Sequence, residues 1–382
     1  WFANPCFTQF HPTCLPQLNS AQSKLTLMSE SLRNDARVWV PRHSGDERDP
    51  RLIPEEERDY FLERLYPAYG NLVPRDVASR ATRTMVESGL GVGPTGTAVY
   101  LDFAEAMGRV GEGILCERYG NLFAMYREIT GDHPCQQPMQ ISPAPHFTMG
   151  GLWVDYHLRS NLEGLFVVGE ANCADHGANR LGANSLLQTM VDGAFVLPRT
   201  LTHELAVKGR ASVCPDDAAF DLCRGQCQER IQRKLSGQGK LTAREIHARL
   251  GQILLKHVGV SRSAAGLQLG RQEIAELQAE FQQNLRVTGD GVGLNDELER
   301  AGRVEDFLEL ADLMCLDALQ REESCGAHFR LEYQTDSGEP VRNDEQFSHV
   351  AAWAWNGPEV APTLHCEALT FEELAPIQRK YH

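Results

Sequence analysis

The chain has 382 residues and a formal net charge of -15 at pH 7, with 42% hydrophobic and 23% charged residues. This composition is typical of packed globular proteins, and the length favours two or three domains. The acidic balance argues against nucleic-acid binding, because contact with phosphate needs a basic face. No apolar run approaches the roughly 20 residues that cross a bilayer, so we expect no direct insertion into a membrane.

The first part of the chain predicts short strands mixed with helices. Arg37–Val40 is typical of a strand, and a helix is expected from about Asp76 to Glu87. A GxGxxG pattern at residues 91–96 follows this helix and precedes a strand-like run at Ala98–Asp102. A dinucleotide site needs the order strand, glycines, helix, so that phosphate meets a helix N-terminus. We therefore predict that these glycines form a connecting turn.

The order that a nucleotide site needs occurs later in the chain. Leu165–Gly169 is typical of a buried strand, and a glycine-rich turn follows at Gly177–Asn184. A helix is expected to begin at Ser185, whose hydroxyl makes it a candidate N-cap.

Beyond residue 210 the sequence is typical of amphipathic helices. One apolar stripe with i, i+3, i+4, i+7 spacing comprises Val304, Phe307, Leu308, Ala311, Met314, Cys315 and Ala318. A second stripe comprises Leu250, Ile253, Leu254 and His257. These stripes predict the core of a small antiparallel bundle. A strand-like run at Val350–Trp355 lies in a tail that we expect to cover the bundle.

Eleven cysteines are scattered along the chain. Cys223 and Cys227 stand four apart on a polar stretch that is expected to be helical, but no second pair has zinc-ligand spacing. We therefore expect reduced thiols and no metal site.

Several segments place a His or an Arg among small residues, glycine or proline. They are Gln9–Thr13, Leu27–Arg33, Pro74–Arg80, Pro143–Gly151 and His176–Leu186. Taken singly, each has a structural explanation, since a His before Pro can cap a turn and an Arg at a helix start is usually a surface charge.

Together, in this order, the segments resemble the flavoprotein subunit of succinate dehydrogenase and fumarate reductase, to which L-aspartate oxidase is related. The resemblance extends from His11–Thr13 to Ser324–Arg330, and its most specific motifs are His146–Gly151 and Ala178–Gly182. Leu32–Asp35 is similar to the bacterial branch. The resemblance implies an α/β + α fold, in which the remainder of an FAD-binding Rossmann-like domain carries an inserted α+β capping domain and is followed by an antiparallel helical bundle and a C-terminal tail.

The family's domain order implies four regions. Residues 1–145 would be mainly the capping domain, with the end of the first FAD-domain segment at their start. Residues 146–208 would be the returning FAD-binding segment, 209–335 the bundle and 336–382 the tail. The opening Trp1 is typical of the interior of a longer chain. We therefore expect the phosphate-binding loop, and a His that links FAD covalently, to lie upstream of it.

The resemblance also implies a clamp for a dicarboxylate substrate. Arg180 and His146 would hold one carboxylate, while His11 and the hydroxyl of Ser29, where the family more often has Thr, would hold the other. The physical logic agrees, because a buried dianion needs donors at both ends. The guanidinium of an Arg also matches a carboxylate with two hydrogen bonds.

By the same resemblance, Arg75 would move the proton, with Glu30 and Arg33 forming a relay to solvent. An arginine is protonated at neutral pH and cannot wait as an ordinary base. It can pass a proton on if its own proton moves to a neighbour as the new one arrives. Glu30 is the expected neighbour, and Arg33 lies on the same face if that stretch is helical.

The implied cofactor is FAD. Glu170 would hold its ribose, as an acidic residue at a strand end commonly does. Asn184, Ser185 and Leu186 would also contact the cofactor, the last two at its isoalloxazine end. A helix N-terminus at this point would stabilise the negative charge that reduced flavin gains.

The resemblance implies that the protein interconverts succinate and fumarate in the tricarboxylic acid cycle or in respiratory electron transport. Electrons would pass to an iron–sulfur subunit and then to a quinone-reactive cytochrome b subunit in the membrane. The implied location is the cytoplasmic face of the bacterial inner membrane, with peripheral attachment through these partners. Two alternatives stay open: an enzyme like L-aspartate oxidase, and a fragment that is inactive alone. The tail after Tyr333 favours the succinate branch over the first.

Overall fold

The structure is a computed structural model that describes residues 1–16, 26–173, 175–208, 214, 216–289, 293–357, 360–378 and 380. The chain forms two compact units. Unit 1 comprises Trp1–Phe7 and Thr148–Glu372, and unit 2 comprises Thr8–Phe147 and Glu373–His382. The four-region division inferred from the family stays a prediction.

The strands are β1 (Phe2–Ala3), β2 (Thr8–Cys14), β3 (Arg37–Pro41), β4 (Arg58–Asp59), β5 (Val99–Asp102), β6 (Met139–Thr148), β7 (Gly151–Leu152), β8 (His349–Ala354) and β9 (Thr363–Ala368). The α-helices are α1 (Phe61–Leu65), α2 (Arg75–Met85), α3 (Ala104–Thr130), α4 (Asn184–Val191), α5 (Leu197–Lys208), α6 (Ala218–Leu235), α7 (Ala243–His257), α8 (Ala264–Asn284), α9 (Asp296–Gln320) and α10 (Asp344–Phe347).

Unit 2 is built on a sheet with the strand order β2–β6–β5–β3–β4. Strand β5 is buried along its whole length and pairs antiparallel with β3 and β6. Helix α3 contributes buried side chains at Leu115, Tyr119, Phe123 and Tyr126, whose spacing of three or four residues keeps them on one helix face. They join one apolar core with residues of β3, β5 and α2.

The glycine pattern at residues 91–96 is a turn, as predicted. It lies between strand β5 and a π-helical turn at Val86–Leu90, which directly follows α2. Val92 donates a backbone hydrogen bond of 2.8 Å to Ala98, which closes the turn. Gly93 adopts a φ of 81°, a region that favours glycine. The predicted strand at Arg37–Val40 is β3, and the helix expected from Asp76 is α2, so both predictions are confirmed.

Unit 1 contains a second sheet with the order β7–β1–β8–β9, in which every pairing is antiparallel. The predicted strand at Val350–Trp355 is β8, so this prediction is confirmed to within one residue. The strand also contacts the helical region, because the buried indole of Trp353 donates to the carboxylate of Asp317 in α9 at 2.8 Å.

Helices α6 to α9 confirm the predicted helical region. In α9 the predicted stripe is buried at Val304, Leu308, Ala311, Cys315 and Ala318, whereas Phe307 is 40% exposed. In α7, Leu250 and His257 are buried. The start of α7 is fixed by a capping box, in which Thr242 and Glu245 satisfy each other's backbone N–H groups.

Two local predictions in unit 1 are wrong. Leu165–Gly169 is not a strand: Leu165 is 40% exposed, and Phe166 forms only an isolated bridge with Arg159. The apolar run finds no continuous backbone partner among the described residues, and a strand needs one. Ser185 is not the N-cap of α4, because Ala183 has a φ of 64° and takes that position. The helix then begins at Asn184, one residue earlier than predicted.

Among the described residues, no helix combines the length and the apolar character that crossing a bilayer requires.

The core of unit 2 depends on the buried face of α3, which gives a direct test. Leu115→Ala should lower the free energy of unfolding by about 2–5 kcal/mol, because a fully buried leucine leaves a cavity. Its neighbour Ile114 is 42% exposed, so Ile114→Ala should change the free energy by no more than about 0.5 kcal/mol. Urea denaturation followed by circular dichroism measures both values. Equal losses would contradict the assigned helix face.

Candidate active site

Arg75 is the centre of a polar cluster in unit 2. It is the first residue of α2, directly after Pro74. Its Nη2 lies 2.7 Å from Oε2 of Glu30, and its Nη1 lies 3.3 Å from Nε2 of His146. A cation at a helix N-terminus is opposed by the helix dipole. The carboxylate of Glu30, together with Asp76 in the first turn of α2, offsets this effect.

Glu30 forms ion pairs with two arginines. Glu30–Asn34 is a 3₁₀ helix, and side chains three residues apart in such a helix are nearly eclipsed. Arg33 therefore lies on the same side as Glu30 and donates to its Oε1, while the other carboxylate oxygen binds Arg75. This arrangement confirms the helical geometry that the proposed relay assumes.

The guanidinium of Arg33 is buried and fixed from a second direction. Its Nη1 donates to the backbone oxygens of Asn71 at 2.6 Å and Val73 at 3.0 Å. Burial lowers the pKa of Arg33, and Glu30 opposes that shift. The side chain is only 3% exposed, so Arg33 can hold Glu30 in one orientation but is itself shielded from solvent.

Two histidines approach the cluster from neighbouring strands. His11 is in β2 and His146 is in β6, and their rings meet edge to face with centroids 5.0 Å apart. The backbone N–H of Thr13 donates to Nδ1 of His11 at 3.4 Å. The strand pairing therefore brings together two predicted substrate residues that are far apart in the sequence.

Gln9 is a member of the cluster that the sequence reasoning missed. Its side chain is fully buried, and its Oε1 accepts from Nη1 of Arg75 at 3.4 Å. The alternation of side chains along β2 could have indicated that Gln9 belongs to the cluster. Gln9 and His11 stand two residues apart and so share one face of the strand.

Ser29, the fourth predicted substrate residue, caps the 3₁₀ helix. Its hydroxyl accepts from the backbone N–H of Ser31 at 3.3 Å and lies 2.7 Å from the Ser31 hydroxyl. The side chain is exposed, immediately before Glu30. Its predicted role in holding a carboxylate stays a prediction.

Arg180 belongs to unit 1. Its loop is held by a close backbone contact between Ala178 and residues Gly326 and Ala327, which we call the backbone lock. The residue is 7% exposed, and its Nη1 donates to the backbone oxygen of Leu181 at 3.2 Å. Nearby, Ala327 donates to the backbone oxygen of Ala178 at 2.8 Å. Gly326 has a φ of 57°, and a Cβ there would lie 2.3 Å from that same oxygen. Glycine is therefore required for this close approach.

The predicted cofactor residues also lie in unit 1. Glu170 is exposed, and its Oε1 accepts from the backbone N–H of Thr148 at 2.9 Å. Asn184, Ser185 and Leu186 form the first turn of α4, where no side chain caps the helix. Leu186 is 74% exposed. The assignment of these residues to FAD stays a prediction.

A hydrogen-bond network that the sequence reasoning missed fixes the segment around Glu170. Asp192 accepts from the backbone N–H of Gly169 at 2.9 Å and from the side chain of Asn172 at 3.2 Å. Gln188 donates to Asn172 at 3.0 Å. Because Gln188 and Asp192 lie one helical turn apart, the helix that begins at Asn184 also orients the segment that carries Glu170.

The cluster in unit 2 is suited to an anion despite the charge of the whole chain. Arg33 and Arg75 supply two cations against the single carboxylate of Glu30. At about 4 Å and an effective dielectric near 20, one unit-charge pair is worth about 4 kcal/mol. Those charges of the -15 chain that lie beyond about 8–10 Å are screened and contribute little at the cluster.

Comparison with known proteins gives a consistent result over most of the chain. The family model described as an FAD binding domain matches residues 2–186, and the one described as a fumarate reductase flavoprotein C-term matches residues 247–381. The succinate dehydrogenase flavoprotein subunit of Bacillus subtilis (strain 168) is 33% identical over 100% of this chain and 60% of its own length. The fumarate reductase flavoprotein subunit of Escherichia coli (strain K12) is 29% identical over 98% of this chain and 59% of its own length.

A solved structure shows the same similarity. A variant of the E. coli quinol fumarate reductase FrdA superposes with a TM-score of 0.78 and 26% identity, over 100% of this chain and 61% of that one. The fold predicted from the sequence is therefore confirmed. The chain spans about three-fifths of the length of the relatives that it matches.

The backbone lock beside Arg180 can be tested with a pair of glycines. Gly326→Ala should lower the free energy of unfolding by more than Gly96→Ala, which should lower it by about 1–2 kcal/mol. Both glycines have a positive φ, but a Cβ at Gly96 would meet no atom within 4 Å. Gly326→Ala should also speed tryptic cleavage after Arg180, because Ala178 must move. If cleavage is unchanged, Gly326 does not hold the loop.

Proposed function

Because this chain belongs to the family of succinate dehydrogenase and fumarate reductase flavoprotein subunits, we propose that it takes part in the interconversion of succinate and fumarate. The observation that carries the proposal is the cluster in unit 2, where Arg75 contacts both Glu30 and His146. This arrangement supports a role for Arg75 in moving a proton, because it lies beside donors that suit an anionic substrate.

The proposed clamp holds each carboxylate of the substrate with two donor side chains. His11 and Ser29 hold one carboxylate, and His146 and Arg180 hold the other. The guanidinium of Arg180 offers paired N–H groups that match the two oxygens of a carboxylate. Its burial and the backbone lock at Ala178 support this role, since a pre-positioned donor loses little conformational freedom when substrate binds.

Arg75 moves the proton in this proposal without becoming a lasting free base. Its Nη2 already donates to Glu30 at 2.7 Å. Transfer of the Nη2 proton to the carboxylate gives a neutral guanidine, and its lone pair accepts the proton from the substrate carbon. The guanidinium is thereby restored, and Glu30 holds the transferred proton. Arg33, on the other oxygen of Glu30, keeps that carboxylate in place and favours its return to the charged form.

The cofactor of this chemistry is FAD, in agreement with the FAD binding domain that covers residues 2–186. When bound, FAD would supply the hydride acceptor for the substrate carbon next to the one that loses the proton. Glu170 would hold the ribose, Ser185 and Leu186 would contact the isoalloxazine end, and Asn184 would also contact the cofactor. The first turn of α4 suits this role, because its backbone N–H groups have no side-chain cap and favour negative charge.

The partners follow from the same family. We propose that electrons pass between the flavin, an iron–sulfur subunit and a quinone-reactive cytochrome b subunit in the membrane. The solved relative is named a quinol fumarate reductase, which supports a partner that exchanges electrons with a quinone. The proposed location is the cytoplasmic face of the bacterial inner membrane, with attachment through these subunits.

The substrate can be tested with the full-length protein. We expect it to oxidise succinate with an artificial electron acceptor, and to show little activity with L-aspartate and oxygen. Both compounds carry two carboxylates, but aspartate adds an ammonium group, which the two cations Arg33 and Arg75 around Glu30 disfavour. Oxidation of aspartate in preference to succinate would show that the protein acts as an L-aspartate oxidase instead.

The proposed role of Arg75 in proton transfer can be distinguished from an effect of its positive charge alone. In the full-length protein, Arg75→Lys should lower kcat by about 10²–10⁴-fold, because a lysine cannot accept at one nitrogen while it donates from another. The KM for succinate should change much less. Arg83→Lys is the matched control, because Arg83 lies on the same helix and pairs only with Glu87 in the described contacts. A kcat that Arg75→Lys leaves unchanged would exclude Arg75 as the proton carrier.

A further inference from the structure

A second cluster of chemically active side chains lies in unit 2. It consists of Glu112, Cys116 and Cys135, whose carboxylate oxygen and two sulfur atoms all lie within 4.8 Å of one another. Among the residues that the structure describes, no other three His, Cys, Asp or Glu side chains meet in this way. None of the three belongs to the proposed active site.

The backbone holds the two halves of this cluster in place. Glu112 and Cys116 stand four residues apart on α3, so they share one helix face. They follow a break in that helix at Gly111, whose φ of 80° and ψ of 160° are not helical. The break makes Glu112 the first residue of the longer part of α3, which orients its side chain together with that of Cys116.

Cys135 approaches from the turn that follows α3. The helix ends at Thr130, and the following residue, Gly131, adopts the left-handed conformation. The backbone oxygen of His133 then accepts from the N–H groups of both Gln136 and Gln137, at 2.9 and 3.2 Å. Nδ1 of the same histidine accepts from the N–H of Cys135 at 3.3 Å. Cys135 also packs against the apolar core of unit 2, so its sulfur atom is pre-positioned.

The composition of the cluster favours a particular class of ligand. Two thiolates and a carboxylate would repel one another, and a divalent cation at their centre removes that repulsion. Thiolate ligands select a soft or borderline ion over Mg²⁺ or Ca²⁺. Zinc binds sulfur at about 2.3 Å and carboxylate oxygen at about 2.0–2.2 Å, which places tetrahedral ligands roughly 3.5–3.8 Å apart. The ligand atoms lie within 4.8 Å of one another, so a contraction of at most about 1–1.3 Å would meet this geometry.

We propose that Cys116, Cys135 and Glu112 bind one Zn²⁺ ion, with water in the fourth position. Glu112 and Cys116 are exposed, so the open side of the ion faces solvent. Each thiol releases its proton as it binds, and the carboxylate binds in its charged form. The expectation from the sequence that the chain has no metal site rested on spacing alone, and Cys116 and Cys135 are too far apart in the chain to show such a spacing.

A disulfide between Cys116 and Cys135 is the competing chemistry of two neighbouring thiols. Burial, with smaller effects of Cys116 and Glu112, raises the pKa of Cys135 to about 11. Thiolate is the form that attacks in oxidation and also the form that binds a metal, so both outcomes require Cys135 to lose its proton. The experiment below distinguishes the two outcomes.

The test uses Co²⁺ as a spectroscopic probe of the chain, reduced and kept under argon. We expect one equivalent of Co²⁺ to produce a thiolate-to-metal charge-transfer band, and one equivalent of Zn²⁺ to abolish it. Cys116→Ser and Cys135→Ser should each remove the band. Glu112→Gln should keep the band but weaken binding by at least about tenfold, in line with the effect of losing a supporting interaction.

The matched control is the double variant Cys223→Ser with Cys227→Ser. These cysteines are exposed and stand four apart on α6, so they test whether any helical pair of thiols binds the probe. The double variant should bind as the unchanged chain does. Circular dichroism checks the folding of every variant, and Cys116→Ser is the decisive one because its side chain is exposed.

Three results would overturn the proposal. One is the absence of a charge-transfer band in the reduced, folded chain. Another is a band that survives Cys116→Ser or is lost in the Cys223 and Cys227 double variant. The third is a Cys116–Cys135 disulfide, found by peptide mass spectrometry after exposure to air, in a chain that binds no Co²⁺ once it has been reduced.

Discussion

The arrangement of the site in unit 2 depends on one carboxylate, that of Glu30, which binds the guanidiniums of Arg75 and Arg33 with its two oxygens. Without it, two cations would face each other in a largely buried setting, where burial and, to a smaller degree, the charge of Arg75 lower the pKa of Arg33. Buried charges are tolerated when they are paired and hydrogen-bonded. A short 3₁₀ helix carries the acid together with one of its cations, and the first residue of α2 supplies the other.

The strands of unit 2 supply the polar side chains that surround this ion cluster. Adjacent strands β2 and β6 supply His11 and His146, and β2 also supplies Gln9. Groups fixed on strands and at a helix start are held more precisely than groups on loops. In unit 1 the loop that carries Arg180 reaches similar rigidity by another route, a backbone contact so close that only glycine at Gly326 permits it. The chain thus concentrates positive charge in small, rigid places while its overall charge is strongly negative.

The sequence could predict those features whose cause is local. The turn at residues 91–96 and the helix before it follow from the order of glycines and apolar residues alone, and the family motifs locate the ion cluster. Features that depend on a partner elsewhere in the chain were beyond such reasoning. Leu165–Gly169 has the composition of a strand but lacks a continuous backbone partner, and Ser185 lost the cap position to the left-handed Ala183. The contact of Gln9 with Arg75 arises only when β2 and α2 pack together.

The contact between Arg75 and His146 also fixes the direction in which the imidazole can act. A guanidinium has only donors, so Nε2 of His146 must present its lone pair to Arg75, and the single proton of the neutral ring sits on Nδ1. A carboxylate has only acceptors. While the contact with Arg75 lasts, the histidine can therefore hold a carboxylate only through Nδ1, and a ligand that required Nε2 as donor would have to displace the arginine first. The tautomer of one ring thereby couples the orientation of any carboxylate that His146 holds to the position of Arg75.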